Sequence, residues 1–469
     1  MQQNPTKNIE NQVMENSKIR FIDLFAGLGG IRLGFEKVLN LYGFKTECVM
    51  TSEIKPYAIK TLMHNFTHNF LAGDIFNIRN EFIPDFDFLL GGFPCQPFSA
   101  SGKRQGFLDT RGTLFFEIER IIRAKKPYGF ILENVEGLVK HDLANKNDEI
   151  GRTLSTILYT LEHDLGYKVS WKVFDSLEFG LPQSRKRIFI IGTQNEKIDL
   201  NGNVPIYKKL DSILEEGLTT LNTPFINKLL SHFKISDLYG KSIKDKRGGD
   251  NNIHSWDIGL KGEVTKDQSI LLNKLFKERR KKQWALEIGI DWMDGMTLTL
   301  EQISTFENRP KSELKLMLDD LVNKGYLKFE HPKKLIKEKT KDGIKSYREY
   351  DLTKPKGYNI VTGKLSFEIN KILDPNDIAP TLVATDVSRL AVPDGNGLRR
   401  LTIREGLRLF GYPEWYEIPT KEYDAFDLLG NTVAIPVVEF VANRIVQKIK
   451  KVEDNIDSKP HPEHVVYAD

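Results

Sequence analysis

The stretch Ile19-Arg20-Phe21-Ile22-Asp23-Leu24-Phe25, followed at once by Ala26-Gly27-Leu28-Gly29-Gly30, decides the fold class. A short apolar run that ends in a glycine-rich turn reads as a buried strand passing through a turn into a helix. Working outward, Glu47 to Ser52 (ECVMTS), Phe86 to Leu90 (FDFLL), Phe130 to Leu132 (FIL) and Arg187 to Ile191 (RIFII) read as further strands. Helix-like stretches lie between them, such as Thr113 to Ala124 (TLFFEIERIIRA), with apolar residues three and four apart. This alternation predicts an α/β domain, doubly wound around a mostly parallel sheet. Ligands of such sheets bind beyond the carboxyl ends of the strands.

The chemically suggestive residues cluster at those ends. Phe25, Ala26, Gly27, Gly29 and Gly30 form the kind of turn that lets backbone approach a nucleotide-type cofactor. The dinucleotide fingerprint is absent, because its third glycine would fall at Arg32. Glu53, at the end of the next strand, suits a ribose, and Asp74 before Ile75 suits an adenine amino group; each acid equally suits a helix cap. Gly91-Gly92-Phe93-Pro94-Cys95-Gln96-Pro97-Phe98-Ser99 sets Cys95 in a proline-bounded turn after a buried strand, where a thiolate can act as a nucleophile. Cys48, on its own strand, reads as a small buried residue. Glu133, ending the FIL strand, is a carboxyl group that partial desolvation would turn into a proton donor near neutral pH. Gln183-Ser184-Arg185-Lys186-Arg187 leads into the last strand, and alternation aims Arg185 and Arg187 to one side.

The chain has 469 residues, of which 40% are apolar and 28% charged, the composition of a water-soluble globular protein of two to three domains. The longest mainly apolar stretches read as far shorter than the ~20 residues that span a bilayer. The N-terminus is polar and Asn/Gln-rich, so no secretory signal is expected. Two cysteines build neither a disulfide scaffold nor a cysteine-based zinc site, and His461 and His464 lack a third ligand; no metal is expected and a reducing cytoplasm fits best.

Net charge is +4, and its distribution is uneven: residues 231–350 carry 25 Lys/Arg against 19 Asp/Glu, so the remainder is slightly negative. From residue 196 the pattern becomes more polar, with basic clusters at 277–283 (KERRKKQ) and 333–341 (KKLIKEKTK). The expected organisation is polar tails at 1–17 and 451–469, a first domain from 18–195 plus 425–450, and a second, mixed domain over 196–424. Within the latter, about 297–330 reads as helix, turn, helix and extended segment, either a winged-helix-like insertion or a helical hairpin packed on the domain.

FAGLGG, GGFPCQPFS, RGTLFFEI, ENVEGL, FGLPQSRKRIFIIG, RRLTIREGLRLFGYP and LLGNTVAIPV occur in that order. Together they resemble the ordered motif set of the DNA (cytosine-5)-methyltransferases of prokaryotic restriction–modification type, over roughly 18–195 and 398–450. The resemblance implies a Rossmann-like, class I S-adenosylmethionine-dependent methyltransferase domain and a target-recognition domain. It implies a Cys95 nucleophile at cytosine C6, Glu133 on the N3/N4 edge, Arg187 at O2 and Arg185 steadying the cysteine loop or a phosphate. It places S-adenosyl-L-methionine, with S-adenosyl-L-homocysteine as product, against Phe25, Ala26, Gly27, Gly29, Gly30, Glu53, Ile54, Asp74, Ile75, Pro94, Leu114, Asn431, Thr432 and Val433. Relatives often carry an aromatic residue where this chain has Ile54, so an adenine contact there becomes van der Waals only.

Gln96, Ser99, Gln183, Thr381 and Leu382 match positions that meet DNA. The implied partner is double-stranded DNA, with the enzyme a monomer; a cognate endonuclease need not bind it. An RNA (tRNA) cytosine-5 methyltransferase and a catalytically silent DNA-binding relative are the alternatives, and a redox role for Cys95 lacks a resolving cysteine.

Overall fold

A computed structural model describes residues 18–93, 114–145, 147–245, 251–340, 343–362, 367–383 and 387–457. The chain divides into two compact units. The first comprises Met1–Glu215, Pro375–Val387 and Leu401–Asp469, the second Glu216–Asp374 and Ser388–Arg400. Residues 196–215, 375–387 and 401–424, expected in the second domain, therefore fall in the first unit. Their place comes from long-range backbone pairing that no local pattern announces: Leu210 donates to the Asp377 carbonyl and Asp211 to that of Pro375.

The first unit is built on seven strands: β1 (Lys18–Leu24), β2 (Lys45–Ser52), β3 (Leu71–Ala72), β4 (Phe88–Gly92), β5 (Gly129–Val135), β6 (Lys168–Asp175) and β7 (Lys186–Thr193). Their spatial order is β3-β2-β1-β4-β5-β7-β6. Every pairing from β3 to β5 is parallel, whereas β7 runs antiparallel to both β5 and β6. Side-chain alternation feeds two cores. Ile19, Phe21, Phe88, Leu90, Ile131, Phe189 and Ile191 join one, and Ile22, Leu24, Leu89, Phe130, Leu132, Ile188 and Ile190 the other. A sheet buried on both faces explains why its strands read as near-continuous apolar runs. The strand order reverses between β1 and β4, so the ligand crevice of a doubly wound sheet opens past Leu24 and Gly92.

Helix Gly30–Leu41 leaves β1 and packs against the last helix, Ile435–Asp457, which extends past the expected boundary at residue 450. Gly34 permits the approach, since a Cβ there would lie 2.8 Å from Val438. The stretch Glu422–Ile449 is long and apolar enough to cross a membrane by length and composition, but 72% of its apolar window is buried inside the protein. Val437, Val438, Val441, Ala442 and Ile445 all belong to the first core.

The second unit has two cores. One covers a five-stranded sheet ordered Gly397–Arg400, Leu390–Asp394, Lys371–Ile372, Ser242–Ile243 and Asn252–Ile253, with Ile226 and Leu229 of helix Pro224–His232 against it. The other gathers Leu271, Leu275, Trp284, Leu298, Ile303, Leu314, Leu318, Leu327 and Tyr358. It holds together helices Lys266–Glu278, Gln283–Ile288, Leu300–Ser304 and Lys311–Asn323, then strand Leu327–Glu330, hairpin Lys333–Thr340/Gly343–Tyr350 and strand Gly357–Ile360. The last strand pairs antiparallel with Leu327–Glu330 on one side, and on the other Tyr358 bridges Leu298. Four helices, a strand, a hairpin and a closing strand that Leu298 bridges form an order similar to that of a winged helix. Thr299 opens its short helix with a capping box to Gln302.

Gly192 tests the two-core sheet. It sits opposite Phe130 in the β5–β7 register, and a Cβ would run into the Phe130 ring. Gly192→Ala is expected to destabilise the protein by about 1–3 kcal/mol through overpacking, read as a lowered urea midpoint with an unchanged slope.

Candidate functional site

At the end of β1 the chain turns through Phe25 and Gly27 with positive φ (57° and 54°), and Gly29 (φ 66°) opens the next helix. Gly29 has no room for a side chain because a Cβ would meet the Phe66 ring at 2.6 Å, and one on Gly30 would lie 2.8 Å from the Tyr412 hydroxyl. The Glu53 carboxylate braces this turn. One oxygen accepts from the Gly27 amide at 2.8 Å, the other from the Ile54 and Lys55 amides at 2.7 and 2.9 Å.

A pocket opens at this point, lined by Asp23, Phe25, Ala26, Gly27, Leu28, Gly30, Ile31, Gly92, Glu133, Asn431, Thr432 and Val433. The structure thus brings together the glycine-rich turn, the β5 carboxylate and the segment before the last helix. Thr432 is fixed by a 2.6 Å hydrogen bond with Tyr412, and Val433 packs on Gly30. Asn431 is exposed, its amide donating to the Asp427 carbonyl. Asp427 in turn accepts from Lys55 and Tyr57, each at 2.7 Å, tying the Glu53 region to helix Glu422–Asn431.

Other expected contacts stand at or beyond the pocket's rim. Ile54 is 66% exposed, and Asp74 accepts from the Phe76 amide as a helix cap, with Ile75 buried. Leu114 starts helix Leu114–Lys125, half-buried against the second core. Pro94, Cys95, Gln96, Ser99, His461 and His464 lie outside the described residues. Cys48 is buried on β2, and burial pushes its thiol up to about 11.

Glu133 is buried, and its carboxylate lies 3.0 Å from Arg187 Nε. Burial raises its pKa above the usual carboxylate value, while Arg187 and Arg185 pull it down. The next residue, Asn134, donates to the Phe93 carbonyl at 2.9 Å, so the end of β5 holds the end of β4 two residues before Cys95. Arg185 is enclosed: its guanidinium donates to the carbonyls of Leu382 (2.8 Å) and Gly430 (2.9 Å) and lies over the Phe410 ring. Burial lowers its pKa to about 9. These bonds make Arg185 a positioning residue.

Two of the expected DNA contacts are interior in this structure. Gln183 is 0% exposed, donating to the Leu409 carbonyl and accepting from the Leu382 amide, and Leu382 is 1% exposed. Both hold 379–382 against 182–185, so neither offers a surface to a ligand. Thr381 is exposed, its hydroxyl donating to the Ser184 carbonyl at 2.6 Å.

Asp23 was not among the expected site residues. It is buried, lines the pocket, and its Oδ2 has no hydrogen-bond partner among the described residues. Burial pushes its pKa up to about 7, with Arg32 opposing and Glu36 and Glu53 adding to the rise. The available signal was an acid in the middle of an otherwise apolar strand. These features fit a small cationic ligand: glycine turns admit it closely, and a buried acid with one oxygen unbonded among the described residues faces it.

Residues 19–447 match the family described as C-5 cytosine-specific DNA methylase. The type II methyltransferase M.NlaIV of Neisseria lactamica is 57% identical over 92% of this chain and 100% of that protein. The type II methyltransferase M.BanI of Aneurinibacillus aneurinilyticus is 40% identical over 92% and 96%. Among solved structures, the Dnmt2 methyltransferase of S. pombe is similar at 15% identity and a TM-score of 0.47, covering 92% of this chain and 99% of that one.

The pocket's acid has a measurable consequence. The pKa of Asp23 rises on folding from its ordinary 3.8 to about 7, so between those values the folded protein keeps a proton that the unfolded chain releases. Stability must fall as pH rises through that window. Urea titrations at pH 4.5 and 8 are expected to show wild type losing on the order of 3 kcal/mol more than Asp23→Asn.

Proposed function

We propose, from the premise that this chain belongs to the C-5 cytosine-specific DNA methylase family, that it is the modification enzyme of a type II restriction–modification system. In this reading it acts in the cytoplasm as a monomer, turns one cytosine out of a specific duplex sequence, and methylates it at C5. The observation that carries the reading is the buried Glu133–Arg187 pair beside a glycine-walled pocket, next to β4, the strand that precedes Cys95 in the sequence.

Phe25, Ala26, Gly27, Gly29, Gly30 and Val433 would hold S-adenosyl-L-methionine, which supplies an electrophilic methyl group on a sulfonium when bound. Asp23 offers that cation a negative charge. Glu53, already fixed by three amides, keeps about one lone-pair site for a ribose hydroxyl. Cytosine C5 is a poor nucleophile until something adds at C6. The Cys95 thiolate forms a bond to C6, and the C5–C6 π electrons move toward C5 while Glu133 holds a proton at the N3/N4 edge. Burial favours the protonated form of Glu133, and the Arg187 and Arg185 guanidinium groups oppose that effect without cancelling it. C5 would then take the methyl group from the cofactor held by the glycine turn, the S–CH3 bond breaking to leave neutral S-adenosyl-L-homocysteine. Removal of the C5 proton by a base restores the double bond and expels the Cys95 thiolate. These atoms are unreachable in a stacked duplex, so the base must leave the helix. The second unit, with the basic surplus of 231–350, would supply phosphate contacts and sequence reading.

Bisulfite sequencing of a plasmid expressing this chain, in a host without cytosine-C5 methylation, tests the reading. Unconverted cytosines are expected at one fixed position of a short recurring sequence, and they should vanish with Cys95→Ala. Complete conversion with soluble protein present would overturn the DNA reading and point to RNA or to a silent binder. Glu133→Gln is expected to lower kcat by about 10²–10⁴-fold while leaving cofactor affinity, measured by calorimetry, within a few fold.

A further inference from the structure

The winged helix of the second unit offers two elements that could meet a nucleic acid, its helix Lys311–Asn323 and its hairpin Lys333–Thr340/Gly343–Tyr350. The helix is electrostatically spent. Lys315 pairs with Asp319, Lys324 with Asp320 at 2.7 Å, Lys311 with Glu301, and Arg309 with Glu307 and Glu313 at 3.1 Å. Its surface therefore presents neutralised charge and an exposed Leu316.

The hairpin is different. Residues 333–350 contain seven basic side chains and three acidic ones, a surplus equal to the +4 of the entire chain. Strand register sorts them by face. Lys333, Lys337 and Arg348 share one face with Leu335, Ser346 and Tyr350, and no acid falls on it. On the other face Lys334 stands opposite Glu349 and Lys345 opposite Glu338. Lys334, Lys337 and Lys345 are exposed, and among the described residues none of them is in an ion pair.

The base of the hairpin is anchored. Arg348 donates to the carbonyls of Trp292 (2.9 Å) and Asp291 (3.3 Å), while Lys282 lies 5.9 Å over the Trp292 ring and Lys333 4.8 Å over that of Tyr350. The two basic clusters, 277–283 and 333–341, thus each set a lysine over an aromatic ring, those of Trp292 and Tyr350, residues that are 40% and 47% exposed. A held, cationic two-stranded ribbon has the width of a DNA groove, and its lysines suit phosphates rather than base edges.

We propose that the hairpin, and not the helix, is a separate nucleic-acid contact of this chain, gripping the sugar–phosphate backbone of duplex DNA that flanks the bases being read. The proposal rests on the DNA reading above and adds a sequence-independent grip. It predicts a footprint longer than the recognition sequence.

The test is fluorescence anisotropy of the full chain on labelled duplexes with long and short flanks, across a salt series. The triple variant Lys333→Ala/Lys337→Ala/Lys339→Ala, all three on the acid-free face, is expected to flatten the slope of log Kd against log salt by about 2–3 on long duplexes. The loss should be equal for cognate and unrelated sequences, absent on duplexes trimmed to the recognition sequence, and reversed when the same lysines become arginine. Methylation rate at saturating DNA should stay unchanged. Lys311→Ala/Lys315→Ala should leave the slope as it is. An unchanged slope in the triple variant, an effect confined to single strands or RNA, or an effect of the helix variant alone would overturn the proposal. Absent methylation with a hairpin-dependent slope would count against the enzymatic reading instead. Arginine variants that fold but fail to restore the slope would show that packing, not charge, was lost, and would also overturn it.

Discussion

One buried guanidinium holds the first unit together. This unit is assembled from three separate lengths of chain, and Arg185 touches all of them: it belongs to the first, donates to Leu382 in the second, and donates to Gly430 and covers Phe410 in the third. A buried arginine cannot shed its charge cheaply, and here backbone carbonyls take its two terminal nitrogens, while Nε has no partner among the described residues. Those carbonyls sit in 379–382 and at the end of helix Glu422–Asn431, the segments that flank the site. Satisfying Arg185 therefore sets the positions of Thr432 and Val433 against the glycine turn. Its positive field also reaches Glu133, so the same side chain shapes both the pocket's wall and its acid.

How much of this was legible follows from which contacts are local. The apolar runs of β1, β2, β4, β5 and β7 announce themselves because strands buried on both faces need no alternation. Strand β6, Lys168–Asp175, went unread: it is the edge strand, with Lys168, Lys172 and partly exposed Trp171 along it, and a mixed pattern resembles a loop. The antiparallel course of β7 has no signature of its own. Glu133 could be read as a strand-end acid, because only its neighbours in sequence matter to that inference. Gln183 and Leu382 could not be placed, since what buries them is a segment about 200 residues away. Matching their motif positions said which residues belong together, not which way they face.

The charge of the chain is partitioned along the same lines. The first unit gathers acids at its pocket, where Glu36 and Glu53 add to the rise in the Asp23 pKa and Glu36 pairs with Arg32. Such a site does little to attract a polyanion. The attraction falls to residues 231–350, whose surplus of basic side chains offsets the slightly negative remainder. Placing that surplus on a unit with its own cores lets the charge there change without disturbing the acids of the first unit. Within the second unit the same separation recurs, with the helix Lys311–Asn323 spending its lysines on internal pairs while Lys334, Lys337 and Lys345 of the hairpin make no ion pair among the described residues.

Asp23 shows why such a site has to weaken the fold that carries it. A carboxylate buried at the end of an apolar strand, with one oxygen unbonded, costs stability whenever it ionises. Pairing it within the protein would remove that cost and also remove what a cationic ligand needs. The available partner, Arg32, is instead engaged by Glu36 at 3.1 Å and by the Thr67 carbonyl, and its guanidinium rests over the Phe66 ring. It lowers the Asp23 pKa without cancelling the effect of burial. The arrangement leaves the acid poised near neutrality, where an incoming positive charge gains most from its ionisation. Local instability at Asp23 and affinity for a cation are therefore two readings of one electrostatic fact, and rigid glycine turns around it confine the cost to a single side chain.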